Sequence, residues 1–230
     1  DPLFLNDLKE EFKRIKEIKV EKTKKRELDA FQNRLASLKF LDPAAGSGNF
    51  LTETYISLRR LENKILKEIY GKQIVMGQTH NPIKVSIHQF YGIEINDFAV
   101  SVARTALWIA ESQMMIETED IINMNLDFFP LTNYPNIVEG NALRIDWEDI
   151  VPKNELNYIM GNPPFVGHQW RSHDQVVDMD LVFYDYKKHG KLDYVCTWYT
   201  KSANFMMGTK IKCSFVSTNS ICQGESVPVL

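Results

Sequence analysis

Four consecutive residues, Asn162-Pro163-Pro164-Phe165, combine groups that could grip an amine. The Asn162 side chain carries a carbonyl oxygen and an amide NH2. Pro163 and Pro164 hold the backbone extended, and Pro163 keeps a carbonyl while having no N–H to offer. The Asn162 side-chain oxygen and the Pro163 carbonyl are thus two acceptors in one rigid turn. Two acceptors suit an amino group with two hydrogens. Drawing on those hydrogens leaves the nitrogen lone pair more available to an electrophilic methyl group. Phe165 adds a flat face for a planar base taken out of its stack, worth on the order of 1–3 kcal/mol. The motif contains no ionisable base, and this chemistry needs none. The competing reading is a strand-ending diproline with a packed phenylalanine.

A second group is "DPAAGSGNF", residues 42–50. Gly46 and Gly48 allow a tight turn and close approach of backbone to a ligand, because a Cβ would obstruct both. The helix that follows would aim its free N–H groups at whatever is bound. A Gly-x-Gly turn alone says little. The dinucleotide fingerprint requires a third small residue three positions after Gly48, where this sequence has Leu51, and an acid about twenty residues on. The first acid at a later strand end is Glu94 in "YGIEIN", 94 − 48 = 46 residues away. A carboxylate there could accept both hydroxyls of a ribose, while Asn96 and Asp97 could cap the next helix. Asn141 in "EGNAL" could donate and accept at an adenine edge, or simply occupy a turn.

These residues must be positioned by the elements around them. Residues 3–38 are rich in Lys, Glu and Leu, with apolar positions at helical spacing, and predict a helical arm broken near Thr23. Short apolar runs then alternate with helical segments. Strands are predicted at the start of "LKFLDPAAGSGNF", near 89–95, in "YPNIVEGNAL", in "LNYIMGNPPF" and in "KCSFVSTNSI". Helices are predicted in "LTETYISLRRLENKILKEIY", "DFAVSVARTALWIAESQMM" and "DYVCTWYTKSANFMM", with a polar loop at 71–84. This alternation predicts an α/β fold, a mostly parallel sheet with helices on both faces. Ligands of such sheets bind beyond the carboxyl ends of the strands, and every unusual group named above falls at one.

The composition is that of a globular protein, 44% apolar and 25% charged. A net charge of −3, from 30 acids and 27 bases, is no footprint of a self-sufficient nucleic-acid binder. No apolar stretch is long enough to span a membrane. Cys196, Cys213 and Cys222 have no metal-binding spacing and read as reduced, mostly buried thiols of a cytoplasmic protein, with no metal expected.

Taken together, the motifs resemble the S-adenosylmethionine-dependent amino-methyltransferases of DNA. "DPAAGSGNF" is similar to their cofactor loop, "GIEIN" to their ribose-binding strand end, and "NPPF" to their (N/D/S)PP(Y/F/W) catalytic signature. Asn at the first catalytic position is commoner in adenine than in cytosine enzymes. The order and wording of "LDPAAGSGNF", "YGIEIN", "NPPFVG", "LDYVCTWY" and "FVSTNSICQGE" resemble the MmeI-like family of fused restriction–modification enzymes over residues 38–226. The resemblance implies a Rossmann-like class I methyltransferase core at 38–230, preceded by the arm at 1–37. It implies S-adenosylmethionine held by Asp42, Pro43, Ala44, Gly46, Gly48, Phe50, Glu94, Ile95, Asn141 and Ala142. Catalysis would fall to Asn162, Pro163, Pro164 and Phe165, on an adenine flipped from double-stranded DNA.

Ala45 stands where the family commonly has Cys, a side chain that does no chemistry. The family's "HYT" cofactor motif, the last strands of the sheet, and its nuclease and target-recognition domains are not recognisable in the sequence. The expectation is therefore a piece of a larger enzyme with C-terminal strands truncated. Residues 166–194, with His168, Trp170, Arg171, His173, Lys187, Lys188 and His189, read either as a cover over the base or as a surface insertion. Alternative functions are methylation of RNA guanine or of protein glutamine, both of which use similar motifs, or a catalytically incomplete cofactor-binding module.

Overall fold

The computed structural model describes residues 3–70, 81–122, 126, 136–186 and 189–222. Five strands, β1 (Phe40–Asp42), β2 (Phe90–Glu94), β3 (Ile137–Glu139), β4 (Tyr158–Gly161) and β5 (Lys212–Phe215), form one sheet in the order β3-β2-β1-β4-β5. Every neighbouring pair is parallel, and Phe40 is in register with Phe90 on one side and Tyr158 on the other. The strand order reverses between β1 and β4. β1 leads into α3 (Asn49–Tyr70) and β4 leads towards α6 (Cys196–Met206), so a crevice opens at the carboxyl ends between them.

Side chains that alternate along the strands sort the two faces. Phe40, Phe90, Ile137 and Met160 enter a core shared with α3, with α4 (Asp97–Ile122) and with the arm. Leu41, Ile93 and Ile159 enter a second core with Trp147, Val151 and Leu156, closed by Phe205 and Met206 of α6. Helices cover both faces, as the alternating pattern predicts. On the second face the connection from β3 to β4 contributes only a 3-10 turn at Trp147–Asp149. Trp147 is fully buried there, with Nε1 donating to the Ala142 carbonyl at 2.8 Å. Lys201 of α6 donates to the Leu143 and Ile145 carbonyls at 3.0 and 2.6 Å, and burial pushes its ammonium down to about 8.

The arm is two helices, α1 (Leu5–Lys16) and α2 (Glu21–Ser37). The break falls at residues 17–20, not near Thr23, which sits in the first turn of α2; Val20 is extended at the join. Leu5, Leu8, Phe12 and Ile15, then Leu28, Phe31 and Leu35, recur at helical spacing and are buried. The Phe4 ring lies 5.1 Å from that of Phe40 and 4.9 Å from that of Tyr158, which lays the arm on the sheet. Glu62 of α3, fully buried, accepts from Gln32 of α2 at 2.7 Å and from the Lys84 and Val85 N–H groups at 2.7 and 3.1 Å. It also pairs with buried Arg59, which donates to Thr118 of α4 at 2.8 Å. Buried charges persist only when paired and hydrogen-bonded in this way. One carboxylate thereby fastens α2, α3 and the segment entering β2.

Two further expectations change. The fifth strand, predicted over "KCSFVSTNSI", ends at Phe215, and Asn219–Cys222 form a 3-10 turn. The Val216 N–H still reaches the Gly161 carbonyl at 2.9 Å, but the neighbouring chain then becomes Pro163-Pro164, which has no N–H to continue a ladder. The three cysteines are free; Cys196 is buried, but Cys222 is exposed. Residues 71–80 of the expected polar loop, Tyr134 and Pro135 of the third predicted strand, and Gln223 to Glu225 lie outside the described residues. No helix among those described is long and apolar enough to cross a membrane.

Candidate active site

The carboxyl ends of β1, β2 and β4, with the turn after β3, open on a cleft of about 660 Å3. Pro43, Ala44 and Gly46 line it from the first loop, Glu94 and Ile95 from the end of β2, and Asn141 and Ala142 from the turn after β3. Asn162 and Pro164 line it from the turn after β4. Pro163 is buried beneath them, and Phe165 stands 40% exposed, outside the hydrophobic cores. Among the described residues no hydrogen bond occupies the Asn162 side chain or the Pro163 carbonyl.

Pro163 and Phe165 are not among the residues that line this cleft, and three of the predicted cofactor residues also sit elsewhere. Phe50 lines a neighbouring groove with Met160 and Phe215. Gly48 has φ +80°, and a Cβ on it would lie 2.9 Å from Ala103 Cβ, so this glycine lets the start of α3 close on α4. Gly46, at φ +53° with open space around its missing Cβ, is the glycine that faces the cleft. Asp42 is wholly buried beneath the loop. Its Oδ1 accepts the Ala44 N–H at 2.9 Å, while Oδ2 has no hydrogen-bond partner among the described residues. Burial pushes the carboxyl up to about 7, and the charge of Glu94 adds to the effect. Asp42 therefore shapes the loop from below.

Glu94 closes the same loop from the side. Its Oε2 accepts the Gly46 N–H at 2.8 Å and its Oε1 accepts the Asn96 N–H at 3.0 Å. Each oxygen keeps a further lone pair. Asn96 in turn caps α4 by accepting the Ala99 N–H at 3.0 Å, as its position predicts. Asn141 is braced on both sides: Oδ1 accepts the Leu143 N–H at 2.9 Å, and Nδ2 donates to Asp178 at 2.9 Å.

Asp178, on α5 (His173–Val182), and Arg144 are missing from the sequence reading, and Tyr194 and Trp198, which line the cleft with them, lie in its "LDYVCTWY" motif but were not among the expected site residues. An acid inside the apolar run "VVDMDLV" was the available signal. α5 and the start of α6 form the wall opposite the strand ends. Trp198 Nε1 donates to the Pro43 carbonyl at 3.0 Å, which ties α6 to the first loop. Asp193 Oδ1 accepts the N–H groups of Val166 and Val195 at 3.1 and 3.0 Å, and the Tyr194 N–H reaches the Val166 carbonyl at 3.0 Å. The "DYV" segment thus holds the chain as it leaves the Asn162 turn. Within residues 166–194, Arg171 bonds the Gly190 carbonyl and His189 meets Asp180 at 2.8 Å, while Lys187 and Lys188 lie outside the described residues. No cluster of three His, Cys, Asp or Glu side chains suited to a metal occurs among the described residues.

A parallel sheet in this order, with a glycine turn, an acid and an Asn-Pro-Pro-Phe turn at its carboxyl ends, defines a Rossmann-like class I methyltransferase, a fold that implies a methyl donor. The chain belongs to the family of the MmeI DNA-methyltransferase domain, which it matches over residues 18–230. DNA methyltransferase A of Bacillus subtilis (strain 168) is 39% identical over the whole of this chain, which spans 25% of that protein. Adenine-specific methyltransferase PglX of Streptomyces coelicolor is 33% identical over 32% of this chain and 5% of its own length. The solved structure of the Type IIL restriction-modification enzyme MmeI in complex with DNA superposes with a TM-score of 0.90. That match has 40% identity and covers 99% of this chain and 30% of the other.

Proposed function

We propose that this chain transfers a methyl group from S-adenosylmethionine to the N6 amine of an adenine turned out of double-stranded DNA. It is the modification unit of a cytoplasmic restriction–modification enzyme, with residues 1–37 as an arm and 38–230 as the catalytic core. The observation that carries this reading is that Asn162 and Pro164 line the same cleft as Gly46, Glu94 and Asn141.

The residues present fit such a cofactor. Glu94 keeps one lone pair on each carboxylate oxygen for the two ribose hydroxyls, and the Gly46 backbone faces the cleft without a side chain. Asn141 keeps one amide hydrogen and one carbonyl lone pair for the edge of an adenine. S-adenosylmethionine supplies, when bound, an electrophilic methyl on a sulfonium. Asn162 Oδ1 and the Pro163 carbonyl accept the two hydrogens of the target amine and turn its lone pair towards that methyl. Phe165, exposed beside them, stacks the flipped base. As the N–C bond forms the S–C bond breaks, and the sulfur leaves as a neutral thioether. The methylated nitrogen gives its surplus proton to water, and rate comes from positioning. The net charge of −3 leaves most phosphate contacts to other domains, and linked target-recognition and nuclease domains fit the small share of each relative that this chain spans.

The test is Asn162→Ala in the intact protein. Loss of one preorganised partner of the reacting group should slow methyl transfer to DNA by about a hundredfold or more. Calorimetry should show S-adenosylhomocysteine binding changed by no more than about twofold, about 0.4 kcal/mol. A normal methylation rate removes Asn162 from catalysis. No heat from the wild-type protein at millimolar ligand removes the cofactor.

A further inference from the structure

The Asp178 carboxylate is 2% exposed, faces the cleft, and is held from three directions. Asn141 Nδ2 and the Tyr194 hydroxyl donate to Oδ2 at 2.9 and 2.8 Å, and Arg144 Nε donates to Oδ1 at 2.6 Å. Asn141 and Arg144 belong to the turn after β3, and Tyr194 to the segment before α6. These elements meet across the cleft at one side chain of α5. Burial alone would raise this carboxyl, but the three donors outweigh it and leave it below its ordinary value.

We infer that Asp178 is a positioning residue for the cofactor, fixing the orientation of the Asn141 amide so that the site selects adenine. The inference rests on the cofactor reading above. A carboxylate only accepts, so the NH2 of Asn141 must face Asp178. Its oxygen must then face the Leu143 N–H, which only donates. The reversed amide would set oxygen against oxygen on one side and N–H against N–H on the other. The remaining amide hydrogen and lone pair therefore have fixed directions. Adenine presents an amino donor and a ring-nitrogen acceptor. Hypoxanthine presents a carbonyl acceptor and a ring N–H donor in the same places. An amide free to turn over would suit either base; the clamped amide suits one.

The test compares S-adenosylhomocysteine with S-inosylhomocysteine by calorimetry on the intact protein. The wild type should prefer the adenosyl ligand by about tenfold or more, because the wrong base leaves polar groups unpaired. Asp178→Asn can present either oxygen or NH2 to Asn141, so of the two contacts that orient the amide only the Leu143 N–H remains. The preference should fall at least about threefold below the wild-type ratio, with the adenosyl ligand bound more weakly. Arg144→Leu alters an exposed side chain and frees one carboxylate oxygen, so it serves if Asp178→Asn does not fold. Its preference should lie between the other two. If both ligands weaken in parallel at an unchanged ratio, Asp178 is merely structural and the inference fails. It fails equally if both variants keep the wild-type preference. A wild type that binds neither ligand sinks the cofactor reading and this inference with it, which separates that failure from the others.

Discussion

The carboxylate of Asp42 and the α-carbon of Gly161 pack in direct contact: a methyl group on residue 161 would lie 2.3 Å from Oδ1. This contact joins the ends of β1 and β4, the two strands between which the crevice opens, one residue before Asn162. Gly161→Ala must therefore push the strands or the carboxyl aside, at a cost of about 1–3 kcal/mol. The urea midpoint should fall and methyl transfer should drop with it. In the double variant Asp42→Ala/Gly161→Ala part of the loss should return, and strictly additive costs would show that the two residues do not interact.

Asp42 also predicts a pH dependence. Burial raises its carboxyl from 3.8 to about 7 in the folded protein, so the folded state holds a proton that the unfolded chain releases. Its contribution to stability is complete below about pH 4 and is lost as pH rises to about 7, amounting to no more than about 4 kcal/mol. Asp42→Asn cannot ionise. Unfolding free energies at pH 5 and pH 8 should differ less in this variant than in the wild type, and an equal difference would contradict the assignment.

Asp193 holds two backbone N–H groups, one of them directly after Phe165. Asp193→Ala should cost about 1–3 kcal/mol by leaving them unpaired. Because the Asn162 turn is what loosens, kcat should fall more than the affinity for S-adenosylhomocysteine. Steady-state kinetics set beside calorimetry decide this, and a pure loss of affinity would place the segment in cofactor binding instead.

Glu62 offers a contrast remote from the cleft. Glu62→Gln leaves the Arg59 guanidinium buried without a counter-charge, which should cost about 3–5 kcal/mol. Replacing both residues, as Arg59→Met/Glu62→Leu, should cost less than the single change. The rate of methyl transfer per folded molecule should stay constant in both, as measured after correcting for the folded fraction.

Much of this was legible in the residues themselves. The apolar periods place α3, α4, α6 and the starts of the strands, because period 2 and period 3.6 are local properties of the chain. Asn162 to Phe165 and Gly46 are readable for the same reason: a diproline and a glycine restrict or free their own backbone whatever surrounds them. Asn96 as the α4 cap is equally local. The end of β5 was not legible, because it depends on the prolines of a different strand. The break in the arm was misplaced because Val20, which is extended, carries no turn signal.

By itself, then, the sequence determined the alternation of strand and helix and the chemical groups that each strand end carries. Only the tertiary structure decided that β4 lies beside β1, that Gly48 serves Ala103 and Gly46 the cleft, and that Asp178 crosses to Asn141. Backbone preference acts over a few residues, whereas these contacts join positions tens of residues apart. Close packing of several faces selects them together, and no period or spacing along the chain encodes that choice.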